Sequence, residues 1–445
     1  MHVNAHPLST AEPAWSSQER ATFEALWPGS LDRPSVLRMS HLAILALLLL
    51  GVGCRGAQPT APPILLLISL DGWRADYSQR VATPNLDALA ARGVRADSLT
   101  PVFPAQTFPN HYTIVTGLYP EHHGIVANTM DDPAIGERFT LSSATARDPR
   151  WWSGEPLWTT VTKQGGRAAS MFWPGSEVAI GGVQPTYWFP YDGTRPNDER
   201  VDQVLEWFAQ PEEMRPSFIT LYFSDADDAG HREGPESRAV ADAVARLDAL
   251  LGRLVSGIRQ LDLLPRTTIV VVSDHGMSQL DENRVIFLDD YLDPAQVSIV
   301  EWSPLLGVNA RSGEDRKVYA ALKDKHPSMH VFLRDETPPA FHYRSHHRIP
   351  AILAQADDGW TITSHARFAQ DRARGRKMGG AHGFDPSLPS MRALLVAAGP
   401  RLRSGVRVPA LGSVHLYDLF CEILGVTPAP NDGDPAVTRA WLQEP

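Results

Sequence analysis

The sequence is poor in cysteine, in net positive charge and in long apolar runs. Two of its 445 residues are cysteine, Cys54 and Cys421, too few for a disulfide framework. Acidic residues outnumber basic ones by 51 to 41, which argues against a protein that coats nucleic-acid backbone, because such binding depends on Lys and Arg. The main apolar run, 41–53, is shorter than the roughly 20 residues that span a bilayer. What is present, 43% hydrophobic and 21% charged residues with 16 histidines, is typical of a globular protein.

The N-terminal region has the features of an export segment. The run 41–53 reads HLAILALLLLGVG, follows two arginines and ends in small residues before Cys54, as the core of a secretory signal does. Its GVGC ending resembles a bacterial lipoprotein processing site, so we expect either a periplasmic protein or a lipoprotein anchored to the membrane through Cys54. The alternative, a buried helix of the mature protein, is disfavoured because the run has no polar face. Residues 1–38 have no place in a signal, and we expect translation to start near Val36 or Met39.

In the rest of the chain, short β-branched apolar runs alternate with segments of helix length. This pattern predicts an α/β fold with a mostly parallel central sheet flanked by helices. The predicted strands are Ile64–Leu70, Ser217–Phe223, Thr267–Ser273 and Ala393–Gly399, and the predicted helices include 83–93 and the strongly amphipathic 236–261. Residues 288–360 have the pattern of a smaller α+β insertion.

Acidic residues directly follow three of the predicted strands. Asp71 follows the first strand, and Asp225 and Asp227 follow the second. Asp274 and His275 follow the third. Because the carboxyl ends of parallel strands share one edge of a sheet, we expect these side chains to converge in a crevice there.

Two histidines complete a candidate metal site. His231 lies four residues after Asp227 and can face the same ion, and His382 lies in the glycine-rich GGAHGFD. Oxygen and nitrogen ligands without thiolate suit zinc or a similar divalent ion. Taken singly, each residue is more often a turn or capping residue, but their joint occurrence favours a metal site. The pairs 122–123 and 346–347 are expected to be solvated surface histidines.

A candidate nucleophile lies at the start of a predicted helix. HYTIVTGL has helical character and Gly117 can end it, so Thr107 falls at or just before the helix N-terminus. Unpaired backbone N–H groups favour an anion there, and a hydroxyl beside a divalent ion attacks at neutral pH. The alternative is that Thr107 is only an N-cap, and the nearby metal residues favour the nucleophile.

Nine segments resemble the nucleotide pyrophosphatase/phosphodiesterase family of the alkaline phosphatase superfamily, closest to its bacterial members. They are SLDGWR (Ser69–Arg74), TPNLDAL (Thr83–Leu89), TFPNHY (Thr107–Tyr112), VTGLYPEHHGI (Val115–Ile125), DADDAGHREGP (Asp225–Pro235), SDHGM (Ser273–Met277), RIPAILAQADDGW (Arg348–Trp360), GAHGFD (Gly380–Asp385) and LYDLFCEILGVTPAPNDG (Leu416–Gly433). They occur in the family's order from Ile64 onward. The resemblance implies an alkaline-phosphatase-like catalytic domain over 64–435, preceded by an extension, signal and linker over 1–63 and followed by a tail over 436–445.

The resemblance also implies a two-zinc site. One ion would be bound by Asp71, Thr107, Asp274 and His275, and the other by Asp227, His231 and His382. Thr107 would attack the phosphoryl group and form a covalent phosphothreonine, while Asn128 and the Thr107 amide would hold a phosphoryl oxygen. Phe108 and Tyr191 match the positions where the family stacks a nucleobase.

The implied activity is hydrolysis of phosphodiester or pyrophosphate bonds of nucleotides, with release of a nucleoside monophosphate. The substrate is a small molecule, and no stable complex with nucleic acid is expected. Neutral neighbours of Thr107 favour a diester over a monoester. The alternatives are a phosphomonoesterase, a lipid phosphodiesterase that releases phosphocholine into an aromatic cage built from 151–158 and 185–192, or a non-catalytic zinc-binding surface protein. No feature of the sequence predicts an oligomeric state.

Overall fold

The computed structural model of the chain describes residues 61–311 and 313–443. The predicted signal segment and Cys54 lie outside these residues. Within the described part of the chain, no helix combines the length and the apolar character that a membrane span requires.

An eight-stranded, mostly parallel sheet forms the centre of the domain, which confirms the predicted fold class. From one edge to the other, its strands are Val406–Val408, Val94–Ala96, Leu395–Ala398, Thr267–Val272, Ile64–Leu70, Phe218–Phe223, Ala168–Met171 and Tyr187–Trp188. All four predicted strands are in it, with ends within two residues of the predicted ones. Ile64–Leu70 pairs in parallel with Phe218–Phe223 on one side and with Thr267–Val272 on the other. Leu395–Ala398 runs antiparallel to both of its neighbours.

Helices cover both faces of this sheet. In chain order, the helices are Tyr77–Arg80, Pro84–Ala91, Thr107–Thr116, Pro120–His123, Leu157–Lys163, Asn197–Phe208, Asp225–Glu233, Arg238–Gln260, Asp315–Leu322, His365–Ala373, Leu416–Leu424 and Ala436–Arg439. Alternate residues of Ile64–Leu70 enter two different core clusters. One cluster includes the Arg238–Gln260 helix, and the other includes Thr107–Thr116 and Leu416–Leu424. The strand is therefore buried on both faces, which explains why all of its residues except Ser69 are apolar.

A second, antiparallel sheet lies within 288–360. Its strand order is Val297–Glu301, Leu305–Ala310, Ile352–Ala356 and Met329–Leu333, with helix Asp315–Leu322 packed against it. Four two-stranded ribbons complete the strands: Val285–Phe287 with Thr361–Thr363, Ser278–Gln279 with Gly380–Ala381, Leu99–Thr100 with Leu411–Gly412, and Thr129–Asp132 with Glu137–Thr140. At the C-terminus, the described part of the predicted tail packs on the domain, since Trp441 is buried in a core cluster.

One of the surface predictions is wrong. His123 is fully buried, although its neighbour His122 is exposed. The His123 Nε2 atom lies 3.1 Å from Thr113 Oγ1, and its Nδ1 accepts a hydrogen bond from the amide of Ile125. Burial lowers the pKa of His123 to about 3, so the ring is neutral. A satisfied neutral imidazole can occupy the core, and the sequence pair gave no sign of this.

Candidate active site

Three carboxylates converge at the carboxyl edge of the sheet. Asp71 follows Ile64–Leu70, Asp227 lies in the first turn of the helix after Phe218–Phe223, and Asp274 follows Thr267–Val272. The ligand atoms of Asp71, Asp274 and His275 all lie within 4.8 Å of one another, as do those of Asp227, His275 and His382. Three adjacent parallel strands therefore bring together residues that are far apart in sequence.

The three histidines present the same ring nitrogen to these carboxylates. The Nδ1 atoms of His231, His275 and His382 lie 3.0, 2.9 and 2.9 Å from the backbone oxygens of Gly380, Gly276 and Ala105. An Nδ1–H that donates to a carbonyl leaves the neutral ring with a free lone pair on Nε2.

Each Nε2 atom lies opposite a carboxylate oxygen. His275 Nε2 is 3.5 Å from Asp71 Oδ1 and 3.0 Å from Asp274 Oδ2. His231 Nε2 and His382 Nε2 are 3.4 and 3.8 Å from Asp227 Oδ1. Lone pairs that face carboxylates at these distances repel one another unless a proton or a metal ion lies between them.

The carboxylate oxygens that face the histidines have no hydrogen-bond donor. Among the described residues, Asp71 Oδ1, Asp227 Oδ1 and Asp274 Oδ2 are buried without a hydrogen-bond partner. The other oxygen of Asp71 accepts a 2.7 Å bond from the Tyr222 hydroxyl, and that of Asp274 accepts from the Gly72 amide at 3.2 Å. A buried polar atom without a partner costs about 1–3 kcal/mol, and more when charged. Divalent ions bound in these two groups would satisfy all three oxygens, so the residues present fit a metal site.

The electrostatics of the candidate ligands favour added positive charge. Burial, together with the carboxylates of Asp274 and Asp227, raises the pKa of Asp71 well above its usual range, and burial raises that of Asp227 to about 7. Burial opposes protonation of His275, but Asp274 and Asp71 outweigh it and raise the pKa of His275 to about 10. Burial, reinforced by His275, lowers the pKa of His382. A divalent ion beside these carboxylates would supply compensating charge.

Thr107 is the first residue of the Thr107–Thr116 helix, and the N-cap is Gln106. The capping alternative for Thr107 is therefore excluded by its position. Its Oγ1 lies 3.3 Å from His275 Nε2, which places the hydroxyl beside the candidate metal ligands. Gly117 ends the helix in the left-handed conformation, with φ of 67°, as its sequence position predicts.

Asn128 lies beside the start of the same helix. Its Oδ1 accepts a 3.0 Å hydrogen bond from the backbone amide of Phe108, and its own backbone amide donates to Gln106 Oε1 at 2.9 Å. Because Oδ1 is occupied, the two N–H groups of Nδ2 are the part of the side chain that is free to donate to an anion.

A cavity of about 480 Å³ opens in front of Thr107 and Asp71. Its walls include Phe108 and Tyr191, the two predicted base-stacking residues, and further aromatic residues, Trp152, Phe172, Trp173 and Tyr222. Tyr191 is half exposed and contacts Phe172 edge-on, with ring centroids 5.2 Å apart. Flat, partly exposed rings beside a nucleophile suit a stacked base.

The charged residues that line the cavity are mostly acidic. They are Asp71, Asp227, Asp228, Glu177 and Arg147. Arg147 Nε is 2.8 Å from Glu177 Oε2, so the one cation among the described lining residues is already paired. Glu177 Oε1 also accepts a hydrogen bond from the amide of Tyr191, which fixes that wall of the cavity.

Sequence reasoning missed two residues that support the candidate ligands from behind: Tyr222, which donates to Asp71, and Gln106, which accepts from the backbone amide of Asn128. His111, whose place in TFPNHY indicates a structural hydrogen-bonding role, joins several groups. His111 Nδ1 lies 2.9 Å from the carbonyl oxygen of Thr107 and 3.3 Å from Asp274 Oδ2, and its Nε2 lies 2.8 Å from Ser69 Oγ. For Tyr222 the sequence contains one hint. A tyrosine, which has a hydroxyl at the tip of its ring, lies near the carboxyl end of the strand that precedes Asp227.

Comparison with known proteins agrees with this geometry. The sequence profile described as type I phosphodiesterase/nucleotide pyrophosphatase matches residues 65–385. The chain belongs to this family. A bovine relative, bis(5'-adenosyl)-triphosphatase ENPP4, is 38% identical over 405 residues, which cover 90% of this chain and 87% of the relative. Human ectonucleotide pyrophosphatase/phosphodiesterase family member 5 is 35% identical over 370 residues, covering 83% and 76%.

A solved structure of the family is also similar. Murine ENPP5, in an inactive threonine-to-alanine form in complex with AMP, superposes with a TM-score of 0.81 at 34% identity. The alignment covers 86% of this chain and all of that one. The chain therefore has an alkaline-phosphatase-like fold, and it is a hydrolase of the phosphodiesterase/nucleotide pyrophosphatase type. That the sequence is most similar to bacterial members of the family stays a prediction.

Proposed function

We propose that this chain is a two-zinc nucleotide pyrophosphatase/phosphodiesterase that releases a nucleoside monophosphate through a covalent phosphothreonine. One observation carries the proposal. Three buried carboxylate oxygens without donors cluster with three histidines whose Nε2 atoms face carboxylates, and the hydroxyl of a threonine at a helix N-terminus lies 3.3 Å from one of these histidines.

The donor set supports two divalent ions. Asp71, Thr107, Asp274 and His275 would hold one ion, and Asp227, His231 and His382 would hold the other. Oxygen and imidazole ligands without thiolate favour zinc over softer metals. When bound, such ions neutralise charge on the phosphoryl group and on the attacking and leaving oxygens.

The residues of the chain then perform two displacements. Thr107 Oγ1 forms a bond to phosphorus while the bond to the leaving oxygen breaks, so one half of the substrate leaves and the other stays as a phosphothreonine ester. Water then cleaves that ester and restores the hydroxyl. Asn128 Nδ2 and the backbone amide of Thr107, at the helix N-terminus, donate to the phosphoryl oxygens, whose negative charge they stabilise. The inactivity of the threonine-to-alanine form of murine ENPP5 agrees with a threonine nucleophile.

The charge of the cavity favours diesters and pyrophosphates over monoesters. A monoester carries an additional negative charge and would require a free cation near Thr107. Arg147 is paired with Glu177, and Asp228 adds further negative charge to the wall. A nucleotide stacked between Phe108 and Tyr191 would present a diester or anhydride phosphoryl group to the site. The bound metal ions alone would neutralise the negative charge of that group.

A lipid phosphodiesterase that releases phosphocholine is the second candidate. Trp152 and Tyr191 line the cavity together with Glu177 and Asp228, and aromatic faces beside carboxylates attract a quaternary ammonium. Trp151 and Trp158, from the same tryptophan-rich stretch, are instead buried in the core.

Substrate comparison tests the proposal. Initial rates on bis-p-nitrophenyl phosphate, p-nitrophenyl phosphate and p-nitrophenylphosphocholine should be highest on the first, and a preference for the monoester or for phosphocholine would refute the assignment. Thr107→Ala should lose hydrolysis while it keeps its zinc, because the other six ligands stay in place. A variant that still turns over would exclude the threonine mechanism. Retained zinc together with loss of all hydrolysis in Thr107→Ala also separates an enzyme from a non-catalytic zinc-binding protein.

We also propose that the protein is exported, as a periplasmic protein or as a lipoprotein anchored through Cys54. The support is the apolar run 41–53 and the GVGC that ends it. Mass analysis of the N-terminus of the native protein tests both forms. A retained Met1 would refute cleavage, and an unmodified N-terminal Cys54 would refute the lipid anchor.

A further inference from the structure

The segment 124–132, which carries Asn128, is held from behind by the insertion. The Tyr343 hydroxyl donates a 2.8 Å hydrogen bond to the carbonyl oxygen of Val126, two residues before Asn128. Arg348 Nη1 donates to the carbonyl oxygen of Gly124, also at 2.8 Å. Tyr343 and Arg348 are 1% and 6% exposed, so water does not compete for these bonds.

Arg348 joins the two ends of this segment. Besides Gly124, it binds Asp132 through Nε at 2.6 Å and donates to the carbonyl oxygen of Trp151 at 2.6 Å. Asp132 Oδ1 in turn accepts from the amides of Ala134 and Ile135. One guanidinium therefore fixes the beginning and the end of segment 124–132 relative to each other.

The nucleophile's helix holds the same segment from the front. Gln106, its N-cap, accepts from the amide of Asn128, and the amide of Phe108 donates to Asn128 Oδ1. Asn128 thus lies between the helix start on one side and the insertion on the other. The void between segment 124–132 and the insertion is only about 10 Å³, at the lower limit for one water molecule. A lost hydrogen bond there would leave the carbonyl of Val126 without a substitute partner.

We propose that Tyr343 of the insertion is a positioning residue for phosphoryl transfer, which acts by fixing the segment that carries Asn128. The inference rests on the proposed role of Asn128. Tyr343 is 1% exposed and its hydroxyl donates to the backbone of Val126, so its effect is indirect. Donors to a developing charge must be placed accurately, and a displacement of about 1 Å can cost about 100-fold in rate. The insertion therefore contributes to catalysis through the geometry that it imposes on one side chain.

A double-mutant cycle tests this inference. Tyr343→Phe keeps the ring and its edge-on contact with Phe103 but removes the donor to Val126. We expect kcat to fall about 5- to 20-fold with KM changed less than about 2-fold. The reason is that the misplaced contact, from Asn128 to the phosphoryl oxygen, is one that strengthens in the transition state. Zinc content should be unchanged. In the Asn128→Ala background, Tyr343→Phe should change kcat less than about 2-fold, because its route of action is gone.

Tyr417→Phe is the matched control, since this buried tyrosine lies within 2.6 Å of Thr160 Oγ1 and is absent from the cavity lining. Its kcat should stay within about 2-fold of wild type, whatever its loss in melting temperature. An unchanged kcat in Tyr343→Phe, or a full multiplicative loss in the Asn128→Ala background, would overturn the inference while leaving the proposed function intact. A wild-type kcat in Asn128→Ala alone would instead refute the role of Asn128, and the inference with it.

Discussion

Replacing Tyr222 with phenylalanine should weaken metal binding without removing a ligand. The Tyr222 hydroxyl donates to Asp71 Oδ2 at 2.7 Å and orients the carboxylate so that its buried Oδ1 faces the site. Phenylalanine keeps the ring contacts with His111 and Tyr191. A hydrogen bond to a charged group contributes about 1.5–3 kcal/mol, and loss of a group that orients a ligand costs about 10- to 100-fold in metal affinity. We expect a loss in zinc affinity within that range.

Competition with a chelator of known affinity measures the effect, with kcat determined in parallel at saturating zinc. The affinity should fall while kcat at saturation stays within about 3-fold of wild type, because all seven candidate ligands are present. Tyr187→Phe is the control, since its hydroxyl donates to Met214 on the surface, away from the site. An unchanged zinc affinity, or a loss of kcat that added zinc does not restore, would show that Tyr222 does not act through a metal-bound Asp71.

Three further predictions concern other residues. Burial raises the pKa of Glu301 from 4.5 to about 8, so its contribution to stability is present below about pH 4.5 and is lost as the pH rises to about 8. As the pH rises across that window, Glu301→Gln should gain stability relative to wild type, by up to about 1.4 kcal/mol per pH unit. Urea unfolding at several pH values measures this, and a difference in unfolding free energy that does not change with pH would refute it. Gly72 has φ of 67°, and an added Cβ would lie 2.8 Å from Asp227 Cβ. Gly72→Ala should therefore bind zinc more weakly, and its free energy of unfolding should be lower by about 1–3 kcal/mol. Wild-type values in both assays would contradict this prediction. Cys421 is fully buried and its thiol pKa is raised to about 12 by burial, so labelling by a thiol reagent should require denaturant.

The sequence predicts those parts of the fold and site that depend on local pattern. Ile64–Leu70 is buried on both faces, so six of its seven residues are apolar, and this run makes the ends of the strand visible in the sequence. Asp71 follows such a strand directly and Asp274 follows one after a single residue, so their convergence follows from the parallel topology. Thr107 could be placed because Gly117 marks the end of its helix.

Other features depend on contacts between distant residues and have no local pattern. An apolar run gives no direction, so the antiparallel strand Leu395–Ala398 could not be distinguished from its parallel neighbours. The bond from Tyr222 to Asp71 joins residues 151 positions apart, and that from Tyr343 to Val126 joins residues 217 apart. Such pairs are set by the packing of whole elements, which a single sequence does not display.

Metal stoichiometry coupled to turnover is the most direct test of the central claim. Zinc content and the rate of hydrolysis of a dinucleoside polyphosphate should be measured on the purified protein, again after chelation, and again after zinc is restored. The two-zinc account predicts two zinc ions per chain, loss of hydrolysis with their removal and recovery with their return. Full activity of the metal-free protein would contradict it.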